Sequence, residues 1–193
     1  MLTHKDLPVL SFTSEAEFDA WLSQHYTETT GFWLRYFKKG SNKETITHDK
    51  AVDVALCWGW IDGLANKYDD ISYLVRFTPR RPKSIWSKVN VAKVEKLIEA
   101  GRMQPSGLAQ VEKAKADGRW DIAYQPASKM EVPADFIDLI KQDPETYAFY
   151  QTLNKANLYA IGFRLTTVAD PKKRAAKMQQ LADMLKRKEK IHN

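Results

Sequence analysis

A chain of 193 residues, 44% hydrophobic and 11% aromatic, is long enough for one medium domain or a domain with a helical appendage, and too apolar to stay disordered. No uncharged apolar run approaches the roughly twenty residues of a membrane span, Met1–Asp6 lacks the layout of a secretory signal, and the lone Cys57 excludes an internal disulfide framework, so a reducing compartment and by default the cytoplasm is expected. The net charge of +6 is uneven, with residues 76–102 carrying +6, residues 170–193 carrying +5 and the remainder −5, which favours a local anion-binding face over a uniformly cationic surface.

Val9-Leu10-Ser11-Phe12 is a short apolar run. Ser14 with Glu17 three residues on makes a capping box for a helix whose Phe18, Trp21 and Leu22 form one buried stripe ending near His25. Thr29-Thr30-Gly31 breaks it, and the aromatic run Phe32–Phe37 predicts a largely buried strand. A polar turn follows, and Thr45-Ile46-Thr47 resumes extended structure.

Thr47 is a good N-cap with Asp49 in the first turn. From Ala51 to Ile61 only Asp53 interrupts an otherwise apolar set, which predicts a buried central helix leaving through Gly59 and Gly63. An acidic turn leads to a strand at Ile71–Phe77, after which Pro79 and Pro82 predict a rigid loop. Asn90 caps a helix carrying Val91, Val94, Leu97 and Ile98, and Ser106 starts another that Gly118 stops. Trp120–Val132 has little periodicity and two breakers in reach, and predicts a linker wrapped on the surface.

Beyond Pro133 the punctuation is all helical. Phe136, Leu139 and Ile140 form one stripe, and Leu158, Ile161 and Leu165 another. Asp143-Pro144 and Asp170-Pro171 are two cap-plus-proline starts, and together these predict a small bundle. The expected fold class is α+β: a small mixed sheet with packed helices over residues 1–128, then a C-terminal helical bundle over 129–193.

The chemistry concentrates at the centre. Arg76, Arg80, Arg81, Lys83 and Lys88 alternate with Phe77, Ile85 and Trp86 and with the hydroxyls of Thr78 and Ser84. Guanidinium forks and hydroxyls bind phosphate or carboxylate, and two prolines preorganise the loop. Trp58, Trp60 and Asp62, at the end of the central helix, complete the candidate ligand site. The competing reading is structural, with Arg80 and Arg81 neutralised by Asp62, Asp69 and Asp70, both tryptophans in the core, and Asp53 satisfied by Arg35 or Arg76. His4, His25, His48 and His192 are too scattered for a metal site, and no nucleophile elbow, phosphate-binding glycine loop or dinucleotide fingerprint occurs. No catalytic residue and no cofactor is therefore expected.

The ordered motifs ALCWGWIDG (55–63), RFTPRRPKSIWSKVN (76–90) and AGRMQPSGLAQVEKAKADGRWD (100–121), with the closing helical stretch from Val132-Pro133, resemble the YdeI/OmpD-associated family over nearly the whole chain. Ile161-Gly162-Phe163-Arg164 departs from the pattern with a mid-helix glycine, which costs about 1 kcal/mol against alanine. The resemblance implies bacteriocin protection and an envelope-related protein partner, and brings no reaction. The leading expectation is a non-enzymatic cytoplasmic accessory protein that binds an anion at the basic loop. Two alternatives are a nucleic-acid binder using that loop and the basic C-terminal tail, and an enzyme acting on a phosphorylated or carboxylated small molecule with Asp53 or Asp62 as acid–base.

Overall fold

The computed structural model describes residues 2–28 and 30–192. Thr29, one of the three helix-breaking positions, lies outside them. Two compact units emerge, Met1–Ser84 with Ala92–Lys113, and Ile85–Val91 with Ala114–Asn193.

The first unit is built on a five-stranded mixed sheet. Its strands are β1 (Thr3–His4), β2 (Leu7–Leu10), β3 (Phe32–Phe37), β4 (Trp60–Lys67) and β5 (Ser72–Pro79), in the spatial order β1-β2-β3-β5-β4. Strands β2 and β3 run parallel, joined by helix α1 (Glu15–His25), and the other pairings are antiparallel. As the central strand, β3 is covered on both faces, which explains why Phe32, Trp33, Leu34 and Tyr36 are all buried. On one face Phe18 and Leu22 of α1 pack with Phe32, Trp60 and Phe77, with Phe12 stacked on Phe18 at 4.8 Å. The opposite face carries a smaller cluster of Val9, Trp33 and Leu74.

Local signals set the starts. Ser14 Oγ accepts the Glu17 N–H at 3.2 Å, while Glu17 reaches back to the N–H of Thr13 at 2.7 Å, so the capping box closes one residue earlier than its usual form. Thr47 caps helix α2 (His48–Cys57) as expected. That helix ends at Cys57 instead of Ile61: Gly59 adopts a φ of +79°, which glycine takes without a Cβ penalty, and the chain turns straight into β4. Strand β4 is hidden in the sequence because a bulge between Asp62 and Ala65 breaks its alternation and its middle residues are exposed. Strand β5 also runs further than expected, since Pro79, opposite Trp60, ends the strand and its missing N–H is tolerated there. Thr45–Thr47 forms no strand; Ile46 makes a single backbone bond to Phe12.

Helix α3 (Lys88–Glu99) starts before Asn90, whose N–H is accepted by Ser87 Oγ at 3.1 Å, so Ser87 is the capping side chain. Helix α4 (Pro105–Ala116) opens on proline, and Ser106 spends its hydroxyl on the Trp58 carbonyl at 3.0 Å.

In the second unit Trp86 packs on Trp120 at 4.9 Å, Tyr124 meets Phe163 edge to face, and Ala123 is buried, so the 120–132 segment is more than a surface linker. Helices α5 (Ala134–Lys141), α6 (Pro144–Gln151), α7 (Lys155–Thr166) and α8 (Pro171–Lys186) enclose Phe136, Ile140, Leu153, Ile161, Leu165, Leu181 and Leu185. Asp143, Asn154 and Asp170 cap three of them. The α+β class with C-terminal helices is thus the observed one.

Candidate functional site

Strands β4 and β5 form a hairpin at one edge of the sheet. Its turn is set by Asp69, whose Oδ1 accepts the N–H of Ile71 and the hydroxyl of Ser72, and whose Oδ2 is held by Arg35 of β3 at 2.6 Å. These bonds, led by Ser72, hold the Asp69 carboxyl below its ordinary range. At the other end of the hairpin, the Arg80 N–H donates to the Gly59 carbonyl at 2.9 Å. The chain then makes a tight turn in which Ser84 N–H bonds the Arg81 carbonyl and Arg81 N–H bonds Ser84 Oγ at 3.0 Å.

This path brings together Arg76, Thr78, Arg81 and Ser84, which with Gly63, Leu64 and Pro79 line an open pocket of about 230 Å³ at the hairpin edge. No carboxylate lines it. Arg76 and Thr78 lie two apart on β5, hence on one face, and the turn after β5 supplies Arg81. The β4 bulge supplies Gly63 and Leu64, residues that sequence reasoning passed over because neither carries a charge or a donor side chain.

The geometry of Arg76 is the most telling feature. It sits opposite Trp33 in the β3–β5 ladder. Its Nε–H is buried and finds no hydrogen-bond partner among the described residues, and the same holds for the indole N–H of Trp33. A buried donor without an acceptor costs on the order of 1–3 kcal/mol, so the guanidinium is held at the pocket without its full set of partners. Neither Arg76 nor Arg81 takes part in an ion pair among the described residues.

The remaining candidates lie elsewhere. Trp60 is fully buried, with its Nε1 donating to the Tyr26 carbonyl at 3.1 Å. Trp58 is half-buried and donates to Asp19 Oδ1 at 2.8 Å. Asp62 faces His48, whose Nε2 lies 3.1 Å from Oδ2. Arg80 is 6% exposed, unlike the exposed Arg81 beside it. Lys83 is exposed in the turn and outside the pocket lining. Trp86 and Lys88 belong to the second unit, the former buried against Trp120. Of the acids in the competing structural reading, Asp62 lies against His48 and Asp69 is held by Arg35 and Ser72, and Arg81 forms no ion pair with them among the described residues. Asp53 is held by Lys93 of α3 at 2.6 Å, shared with Asp49, instead of by Arg35 or Arg76. That lysine carries no motif that would have marked it.

Two carboxylates with basic partners of their own, neither lining the arginine pocket, do not make an acid–base pair for a substrate held there. The pocket is lined by two arginines and two hydroxyl residues, side chains of the kind that can meet an ion with two or more acceptor oxygens. Among the described residues no cluster of side chains suits a metal ion, and no helix is long and apolar enough to cross a membrane.

Residues 10–110 match the family model described as a domain of unknown function, DUF8412. Residues 129–188 match the model described as "Bacteriocin-protection, YdeI or OmpD-Associated". The second match is confined to the C-terminal helices, whereas the motifs had suggested it over nearly the whole chain. No curated protein and no solved structure matches.

Proposed function

The chain belongs to the DUF8412 family through residues 10–110 and carries a YdeI/OmpD-associated segment behind them, and on this premise we propose that it is a non-enzymatic accessory protein that binds an anionic group at the β4–β5 edge. One observation carries the reading: Arg76, Thr78, Arg81 and Ser84 share a pocket of about 230 Å³ that no carboxylate lines. That volume suits inorganic phosphate or the anionic end of a larger molecule, and lies just below the range of drug-sized sites. The accessory role is supported by the description of the C-terminal family, which speaks of bacteriocin protection and association.

The test is a thermal-shift titration with inorganic phosphate, sulfate and citrate, on the wild type and on Arg81→Ala. Arg81 is exposed, and its backbone bonds survive the substitution. A ligand that binds only the folded state raises Tm by mass action. At least one anion is expected to raise the wild-type Tm, with Arg81→Ala needing about tenfold more of it, equivalent to ~1.4 kcal/mol. Absence of any shift, or equal shifts in both proteins, defeats the reading.

A further inference from the structure

The second unit holds a feature independent of the anion pocket. Between α7 and α8 lies a groove of about 420 Å³, lined by Arg164, Lys177, Gln180, Leu181, Met184, Arg187 and Glu189. Leu181 is buried and Met184 half-buried, so the groove has an apolar floor beneath a polar rim. The rim carries three cations and one carboxylate. Arg164 is exposed and in no ion pair among the described residues, Lys177 bonds only the neutral Gln180 at 2.7 Å, and Arg187 holds Glu189 at 2.9 Å.

The spacing says what fits. Lys177, Gln180, Leu181, Met184 and Arg187 fall at i, i+3, i+4, i+7 and i+10, one continuous face of α8 and its cap. At 1.5 Å per residue, Lys177 and Arg187 stand about 15 Å apart. A phosphate or a single carboxylate cannot span that distance, whereas a helix carrying acids two to three turns apart can. A flat anionic bilayer is a poor match as well, because the apolar residues form the floor of a concavity and do not protrude. An apolar side chain flanked by carboxylates satisfies both floor and rim, as in helix-in-groove recognition.

We propose that this groove receives an acidic amphipathic helix of a partner protein, its apolar residue seated over Leu181 and Met184 and its carboxylates against Arg164, Lys177 and Arg187. Glu189 occupies the Arg187 end of the rim as an internal counterpart of those carboxylates, and the partner displaces it.

The probe is a fluorescein-labelled helix-forming peptide of about 14 residues, with leucines at i and i+4 and glutamates flanking them, titrated with the full chain in moderate salt. Saturable binding is expected, with the methyl resonance of Met184 moving in step. Glu189→Gln should tighten binding several-fold, and the double variant Arg164→Ala, Lys177→Ala, which removes no ion pair among the described residues, should weaken it about tenfold or more. The proposal is overturned if the peptide does not bind, if a version with every glutamate replaced by glutamine binds equally well, if the double variant binds like the wild type, or if phosphatidylglycerol vesicles bind and the peptide does not.

Discussion

A β-carbon added to Gly107 of α4 would overlap the carbonyl oxygen of Cys57 at the end of α2, and one added to Gly162 of α7 would lie 2.7 Å from the carbonyl oxygen of Glu131. In both cases the obstacle is backbone, which cannot swing aside. Gly162 therefore reads differently in the structure than in the sequence: its propensity cost of about 1 kcal/mol accompanies a close approach that alanine would forbid. Gly107→Ala and Gly162→Ala are each expected to destabilise by about 1–3 kcal/mol, seen as a lower denaturation midpoint at unchanged slope. Destabilisation below a few tenths of a kcal/mol would mean that the helices part readily at these points. Cys57 gives a second residue-level test. It is 2% exposed and burial pushes its thiol up to about 11, so the thiolate that reacts with disulfide reagents is scarce at neutral pH. Ellman's reagent should leave it untouched in the native protein and titrate one thiol after unfolding; fast native labelling would contradict the packing around α2.

At the scale of elements, α5 and α8 are clasped by Arg174, whose two guanidinium nitrogens meet the Asp135 carboxylate at 2.6 and 3.0 Å. The hydrogen bond from Arg174, more than any other influence and against the opposing effect of burial, holds the Asp135 carboxyl below its ordinary range. A folded-state pKa depressed below the unfolded value of about 3.9 contributes stability that is complete above that pH and lost as pH falls through the folded value. Asp135 is half-exposed, so the contribution is at most about 1 kcal/mol. Arg174→Gln should lower Tm more at pH 6 than in acid, where a protonated Asp135 no longer pairs with it; an equal deficit at both would show that the arginine acts through its packed stem and its Nε bond to the Leu165 carbonyl. Elements also differ in how legible they were. The bundle caps Asp143, Asn154 and Asp170 act locally, and two of them, each followed by proline, stood out in the chain. Strand β4 did not, because its identity depends on pairing with β5 across a bulge that scrambles the alternation of exposed and buried residues.

For the whole molecule, composition and charge placement carried far. The central cluster of basic residues was visible in the sequence, and two of its arginines, Arg76 and Arg81, converge on one pocket with the hydroxyl residues Thr78 and Ser84. Invisible was which arginine turns inward. Arg80 and Arg81 are adjacent and chemically identical, yet the first is buried and the second exposed, at a turn after β5 that sequence periodicity could not place. The acids were equally opaque, since the side-chain contacts that occupy Asp53 and Asp62 join residues 40 and 14 positions apart.

The central claim, that the β4–β5 edge binds an anion, is tested most directly by following the Nε–H resonance of Arg76 in a nitrogen–proton correlation spectrum during titration with inorganic phosphate. The Arg76 side chain lines the pocket, so a saturable shift of its Nε–H resonance is predicted as phosphate docks beside the guanidinium, abolished or displaced to higher concentration in Arg81→Ala. A resonance that stays fixed while phosphate demonstrably binds, or one that moves identically in Arg81→Ala, would place the anion elsewhere and contradict the account.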